Sequence, residues 1–396
     1  MAFIEANGNL LFVAVQDKVK IIEVTGENPP NLLQSFELHK DLENCPVTNE
    51  SALDHIKACP SEALCLAVSK SGRFLVVCSA DKIAFVYQKQ SSGLYEPYAG
   101  RPYIFFQKAS NAVVFDDGEE RIVVADRSGC VTSFVLDPTL IATESTKEIT
   151  AFGEPNEYGG QALTGSVSMI LALEINKNQL ITSDRDEKIK VVTYPEAYNI
   201  EHILMGHTKY IKTLKVINLE KDYLLSGGGD GNLILWDLET GKSVCTSCLK
   251  QGPIRKIHVS PISKTAFEVV VLFEEKQSSL SQTFEQKNGM WTHELATEIN
   301  LGECNILDSI LAHGKMLWLL SSKGLKAFDL GSHLQSSAIS ENLLDEEMKN
   351  LLLLSKDVLP ADSLFKNTDS TNIEAYQKRK CDRIEKKAAK KAKKSS

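Results

Sequence analysis

Residues 226–242, Ser226 to Lys242, read SGGGDGNLILWDLETGK, and the role of the glycines here decides the fold. Three consecutive glycines, an Asp and a further Gly have two physical uses. One is a loop that cradles a phosphate, with its glycines ahead of a helix N-terminus where free N–H groups converge. The other is a tight turn between strands, where glycine supplies positive φ without steric cost. The following residues choose between them. Leu233 and Leu235 alternate with Ile234 and Trp236, the two-residue period of a strand, and LILWD is no helix start. The stretch reads as strand, hairpin turn, strand.

Upstream stands MGHTKYIKTLKVI with the pair Gly206-His207, and Trp236-Asp237 follows about thirty residues later. A GH, a strand, a turn carrying Asp, a second strand and WD form the signature of one β-propeller blade. Ser226, His207 and Asp230 could also suggest a hydrolase. A catalytic serine would need an oxyanion hole and an open cleft, for which no motif is visible. In WD-repeat blades a His, a strand Ser, a turn Asp and a Trp form a buried hydrogen-bonded tetrad, which satisfies every polar group it buries. Here the tetrad is His207, Ser226, Asp230 and Trp236.

Degenerate copies surround this blade. Residues 9–24, 63–87, 111–136 and 170–192 precede it. Two more follow, PIRKIHVSPISKTAFEVVVLFEE and ILDSILAHGKMLWLLSSKGLKAFDL. Copies at a spacing near 45 residues predict an all-β, seven-bladed WD-repeat β-propeller with a C-terminal helical and basic tail. Residues 1–330 are assigned to the ring. Residues 331–370 are assigned to a helical segment packing on the propeller or a partner, since ENLLDEEMKNLLLL spaces Leu344, Met348, Leu351 and Leu352 as a helix does. Residues 371–396 are a basic tail with too few apolar residues to bury itself, expected to be disordered alone. Ring closure usually pairs strands from the two chain ends; Phe3-Ile4-Glu5 is a candidate, and the pattern does not say which strand closes the ring.

The 396 residues carry 44 Lys/Arg and 52 Asp/Glu, a net −8 that hides an asymmetry. Residues 371–396 hold ten Lys/Arg against three Asp/Glu, a net of +7, which leaves 34 against 49, or −15, for the rest. An acidic body argues against a broad nucleic-acid face and places attraction to phosphate on the tail. Its candidates for RNA contact are Lys378, Arg379, Lys380, Arg383, Lys386 and Lys387. A nuclear-localisation role fits the same residues. No run of about 18 apolar residues is present, and MAFIEANGNLL lacks the basic start of a signal peptide. Nine cysteines without framework spacing suit a reducing compartment, cytosol or nucleus. Cys245 and Cys248 form a CxxC without a second pair or a nearby His pair, too few ligands for a closed zinc site. No Walker or dinucleotide fingerprint is found. Neither metal nor cofactor is expected, and no catalytic set is evident.

The densest charge lies in SDRDEKIK, Ser183 to Lys190. This blade lacks the tetrad: Ser166 stands for the GH histidine and Val192 for the tryptophan, while Asp186 occupies the place of Asp230. Lys188 and Lys190 alternate with Ile189 and Val191 and share one strand face. Such a stretch is either a solvated edge that resists strand pairing or a charge-patterned docking patch that fixes register and partner. Arg127 of the preceding blade aligns with Arg185 and widens the patch.

VADRSGCVTSF, ITSDRDEKIKV and the GHTKYI segment, in that order, resemble the WD-repeat non-catalytic subunit of the tRNA (guanine-N7) methyltransferase, the Wuho-like proteins. The tail LFKNTDSTNIEAYQKRKCDRIEKK is similar to that family's C-terminal segment. The resemblance implies a separate catalytic subunit that binds S-adenosylmethionine and methylates a guanine N7 in the tRNA variable loop. The propeller would dock beside it as a heterodimer and meet tRNA through the complex, in the nucleus and also in the cytoplasm, with no membrane. In the family the turn and strand matching DRDEKI(R/K) carry the contacts; by position these are Asp186, Glu187, Lys188 and Lys190, joined here by Arg127 and Arg185. The family often has Arg where this chain has Lys190, which keeps charge but loses a bidentate fork. The alternative is a general WD-repeat interaction adaptor, such as a ubiquitin-ligase substrate receptor or a chromatin-associated scaffold. A charged or aromatic ring mouth would favour that alternative; exposed charge on one side edge would favour the first.

Overall fold

The computed structural model describes residues 2–25, 29–42, 47, 50–137, 156, 158–274, 278–295, 297–301, 306–312, 316–330, 334–335, 344–355 and 364. The tail and its six RNA-contact candidates lie outside them. Seven antiparallel sheets follow one another along the chain. The first is β1 (Ala2–Asn7), β2 (Leu10–Val15), β3 (Lys18–Glu23) and β4 (Asn31–Glu37). A nine-residue helix, α1 (Glu50–Ala58), leads to the second: β5 (Ala63–Val68), β6 (Phe74–Ser79) and β7 (Ile83–Lys89), with β8 (Tyr95–Pro97) and β9 (Tyr103–Phe105) both on β7. The third has β10 (Ser110–Phe115), β11 (Arg121–Asp126), β12 (Cys130–Val135) and β13 (Gly160–Gly165). The fourth has β14 (Ile170–Asn176), β15 (Gln179–Asp184), β16 (Lys188–Thr193) and β17 (Ile200–Met205). The fifth has β18 (Ile211–Asn218), β19 (Asp222–Gly228), β20 (Asn232–Asp237) and β21 (Lys242–Cys248). The sixth has β22 (Ile254–Ser263), β23 (Ala266–Phe273), β24 (Ser278–Lys287), β25 (Met290–His293) and β26 (Thr297–Asn300). The seventh has β27 (Ile306–Ala312), β28 (Met316–Ser321), β29 (Gly324–Asp329) and β30 (Leu334–Gln335).

The strands read as they do because a blade is covered on both faces. Second strands such as FLVVCS (β6) and MLWLLS (β28) are almost continuously apolar and buried, as strands packed on both sides must be. Outer strands alternate or are polar: β4 is mostly exposed, and so is β21. Apolar clusters fill the gaps between neighbouring sheets, such as Ile181, Leu204, Leu214 and Trp236 between the fourth and fifth.

The opening glycines divide their work differently from the sequence expectation. Of Gly227, Gly228, Gly229 and Gly231, only Gly231 has positive φ, at +71°. Gly228 ends β19, and a Cβ there would lie 2.0 Å from the Tyr210 carbonyl oxygen; one on Gly229 would lie 2.5 Å from the Tyr210 ring. These glycines are required by the close approach of Tyr210, not by backbone handedness. Around them the tetrad is assembled. Trp236 Nε1 donates to Ser226 Oγ over 2.8 Å, and Ser226 Oγ lies 2.8 Å from His207 Nε2. His207 Nδ1 lies 3.0 Å from Asp230 Oδ2. Asp230 also accepts from the amides of Thr208 and Asn232. Burial alone would raise the Asp230 carboxyl; the His207 hydrogen bond and charge, with the two amides, outweigh it and hold the group below the usual carboxylate range.

Ring closure also departs from expectation. Every described sheet is contiguous in sequence, and β1, which contains Phe3-Ile4-Glu5, is the inner strand of the first sheet, paired with β2. No strand is shared across the seam between the seventh and first sheets among the described residues. Packing replaces it. Ile4, Leu11 and Val13 meet Trp318, Leu320 and Leu325, and the Ile4 amide donates to Asp308 Oδ2 over 3.0 Å. A second helix, α2 (Glu346–Leu354), joins the same cluster through Met348 and Leu352, with Leu344 just ahead of it. Asp345 caps α2 by accepting from the Met348 amide, and takes a 2.7 Å ion pair from buried Lys20. Lys18 pairs with Glu347 at 2.7 Å.

Two stability outcomes follow. Met348→Ala, at a fully buried site, should cost about 2–5 kcal/mol in denaturant unfolding, whereas Leu353→Ala, 65% exposed, should cost little. His207→Ala should cost about 1–3 kcal/mol by leaving buried polar groups unpaired. Because the Asp230 value is depressed in the folded state, its contribution is complete above about pH 4 and drains as pH falls through the depressed value. A pH series of melts should therefore show the mutant's deficit narrowing in acid.

Candidate functional site

Each blade turns from its second to its third strand on the ring face where its first strand begins. Turns 126–129 and 184–187 share that face on adjacent blades. Asp126 organises the first: its Oδ1 accepts from the amides of Ser128 and Cys130. Asp184 organises the second, accepting from the amides of Asp186 and Lys188 at 2.9 and 3.0 Å, and from Ser166 Oγ at 2.7 Å. Asp186 occupies the position of Asp230, but the capping role has moved two residues upstream to Asp184. Ser166 keeps half of the missing tetrad by holding that carboxylate. With Asp184 consumed by the turn, Asp186 and Glu187 are half-buried at its tip. Glu187 has φ +73°, where Gly129 and Gly231 stand in neighbouring blades. Gln16 and Lys82 are also left-handed in the first two blades, so this backbone state belongs to the turn and is no mark of function by itself.

The cations are less well matched. Arg127 is exposed, with its amide bonded to Ala109 O. Arg185 is half-buried; its amide donates to Met169 O over 2.9 Å, while its Nε is buried without a hydrogen-bond partner. Lys188 is exposed. Lys190 is half-buried and donates to Gly165 O. Partial burial lowers the affinity of Lys190 for its proton; Lys188 adds to that and Asp184 opposes it. Nearby lysines are paired, Lys177 with Asp222 at 2.6 Å and Lys215 with Glu174 at 2.7 Å. Neither Lys188 nor Lys190 has an ion pair among the described residues.

The register adds residues that sequence reasoning missed. Lys188 pairs across with Met205 and Lys190 with Ile203, so each pair shares a sheet face. Met205 is 70% and Ile203 53% exposed, and Val167 in the adjoining loop is fully exposed. β17 is the outer strand of its sheet. The edge therefore presents exposed apolar side chains beside lysines. The sequence signal was the apolar run Ile203-Leu204-Met205 in IEHILM, which reads equally as a buried strand until its place in the sheet is known.

The central channel, about 280 Å³, is the other candidate. It is lined by charge that is already matched: Lys215 with Glu174, Lys256 with Asp308 at 2.8 Å, and Lys212 with Glu274 at the rim. Each pair joins adjacent blades. Glu5, also missed by sequence reasoning, is raised by burial, with Lys256 and Lys215 pulling it down. A perturbed acid in a cleft is a functional-site signal, but here its neighbours form a belt that ties blades together. Cys245 and Cys248 both lie on β21 as free thiols, and Cys248 Sγ donates to Asn232 Oδ1. No group of three or more potential metal ligands occurs among the described residues. No described helix is long and apolar enough to cross a membrane.

Comparison with known proteins places this edge within a matched domain. Residues 153–323 match the tRNA methyltransferase TRM82 WD40 domain, and residues 53–88 match the WD domain, G-beta repeat. A Caenorhabditis elegans tRNA (guanine-N(7)-)-methyltransferase non-catalytic subunit is 31% identical over 285 residues, 70% of this chain and 64% of that protein. The wuho subunit of Anopheles gambiae is 41% identical over 106 residues, covering 26% of this chain and 27% of that protein. The human subunit WDR4 is 28% identical over 180 residues, 44% of this chain and 38% of that protein. The chain thus spans from about a quarter to just under two thirds of these relatives' lengths. Among solved structures, a chain of the mitotic checkpoint complex superposes with TM-score 0.57 at 17% identity, covering 83% of this chain and 89% of that one. The designed Ika8 protein reaches 0.53 at 15% identity over 86% and 87%; both likenesses concern the propeller fold alone. The matched domain and the relatives point the same way: the chain is a WD-repeat β-propeller similar to the tRNA (guanine-N7) methyltransferase non-catalytic subunits, with residues 153–323 matching the TRM82 WD40 domain.

Proposed function

We propose that this chain is the non-catalytic subunit of a tRNA (guanine-N7) methyltransferase, and that its blade-three and blade-four edge binds and stabilises a separate catalytic subunit as a heterodimer. The observation that carries the reading is the set of cations at that edge, Lys188 and Lys190 without an ion pair beside exposed Ile203 and Met205. Elsewhere the body is acidic and its channel charge is matched. A partner carboxylate at Lys190 would recover the solvation that partial burial has already cost, and the apolar pairs would supply area. Arg127 and Arg185 extend the same surface, and Asp186 and Glu187 set its polarity. S-adenosylmethionine would be held by the catalytic subunit, and this chain would hold no cofactor. Nuclear residence, with cytoplasmic presence, belongs to the same proposal and rests on tail composition. The general adaptor reading would draw on the ring mouth, where the lining charges already satisfy one another.

The test is guanine-N7 methylation of tRNA by the cognate catalytic subunit, with and without this chain, and by this chain alone. Activity should require both chains, and this chain alone should show none; an unchanged rate on adding it would refute the reading. Lys188→Glu with Lys190→Glu should weaken the heterodimer by tenfold or more, about 1.4 kcal/mol, with an unchanged melting temperature. Met205→Asp should act in the same direction. If these variants melt early and bind normally, the edge is structural.

A further inference from the structure

Val167 is the most exposed large apolar side chain among the described residues. It stands at the tip of the short loop that carries the chain from β13, the outer strand of the third blade, to β14, the inner strand of the fourth. A lone valine on a surface loop is ordinary. This one differs in how the loop beneath it is held.

The loop is fixed from the turns of both blades. On the third-blade side the Ser166 amide donates to Gly129 O over 2.8 Å. Gly129 is buried against the loop with φ +91°, and a Cβ there would lie 2.3 Å from Ser166 O and 2.6 Å from Ser168 O. On the fourth-blade side Ser166 Oγ donates to Asp184 Oδ2 over 2.7 Å, and Met169 O accepts the Arg185 amide over 2.9 Å. The Ser168 amide donates to Ser166 Oγ over 3.3 Å, and Gly165 O accepts from Lys190 Nζ. The two residues on each side of Val167 are thus engaged, and its side chain projects from between them. Branching at Cβ restricts its single side-chain torsion. A projecting group that is ordered before contact loses little entropy on binding, which is what an interface anchor needs.

The surroundings give the chemistry of the surface that Val167 fits. Lys190, bonded to Gly165 O, lies across from Ile203, and Lys188 lies across from Met205. Both of these apolar partners are more exposed than buried. Arg127, two residues before Gly129, is exposed as well. The knob therefore stands among cations and further apolar side chains.

We propose that Val167 is a preformed knob that inserts into an apolar hollow on the partner protein, a hollow rimmed by carboxylates that meet Arg127, Lys188 and Lys190, and that Gly129 and Asp184 are its positioning residues. The inference rests on the docking reading given above, with the catalytic subunit as the partner. Lysines alone attract any acidic surface; a knob of fixed position also demands a hole of matching size at a set distance from the acids.

The experiment titrates the full chain into the cognate catalytic subunit by isothermal calorimetry at low and high salt, with a melting curve for every variant. Val167→Ser removes the apolar group without adding charge. It should raise the Kd about tenfold or more, with the melting temperature and the salt dependence of Kd unchanged. Val167→Ile should bind nearly as the parent does. Lys188→Glu with Lys190→Glu should instead change the salt dependence. Gly129→Ala alters a buried position, yet it should weaken binding as Val167→Ser does, by pushing Ser166 and Ser168 aside. The knob is overturned if Val167→Ser binds as the parent does, if its loss of binding is matched by a fall in melting temperature, or if Gly129→Ala binds normally. A parent chain that fails to bind the catalytic subunit sinks the docking reading and the knob with it. A parent that binds, with only the lysine reversals weakening it, sinks the knob alone.

Discussion

A ring of sheets has one demand that a stack does not: its last seam must be packed as well as the others. Here no strand crosses that seam among the described residues. It is held by Ile4, Leu11 and Val13 against Trp318, Leu320 and Leu325, by the Ile4 amide on Asp308, and by α2 wedged into the same cluster. The six other junctions share the same logic of apolar faces meeting, but each has chain continuity in its favour. Among the described residues the seam relies on side-chain packing, that one amide bond and the two lysine–carboxylate pairs at Asp345 and Glu347. The site on blades three and four depends on it, because neighbouring turns keep their spacing only in a closed ring.

Charge is distributed in two different ways. Around the axis, lysines and carboxylates from adjacent blades are paired within 2.8 Å and stitch the ring together. At the outer edge of the fourth blade, cations stand beside exposed apolar side chains. On an acidic body, unpaired cations beside exposed apolar side chains suit an acidic partner better than a basic one. The same body repels phosphate, which leaves the tail as the region whose charge suits RNA.

The number and order of the blades were legible because each carries a short-period apolar pattern and a turn at regular spacing. The tetrad was legible for a related reason: His207, Ser226, Asp230 and Trp236 lie close enough in sequence to be read as one motif. What escaped was whatever depends on a contact the sequence does not print. The glycine run was read as handedness, and most of it is clearance for Tyr210. Asp186 was aligned with Asp230, yet Asp184 does the capping: it accepts from the Lys188 amide, the equivalent of Asn232, and from the amide of Asp186 itself, and Ser166 holds its other oxygen. Ile203 and Met205 gained meaning only through their register with Lys190 and Lys188. The start of α2 at Glu346 follows from its cap on Asp345, which the apolar spacing alone left several residues loose.

The contiguity of the sheets has a temporal side. Synthesis runs from the N-terminus, and each blade is complete once its own strands have emerged, so the first six can form in order without waiting for distant sequence. The outer face of the first blade is different. Its partners, Trp318, Leu320 and the α2 residues Met348 and Leu352, lie about three hundred residues or more further along the chain. A nascent chain therefore carries an uncovered apolar sheet face from the emergence of the first blade until translation has passed residue 352. That face is where a chaperone would bind during biogenesis, and where premature termination would leave a sticky, open ring.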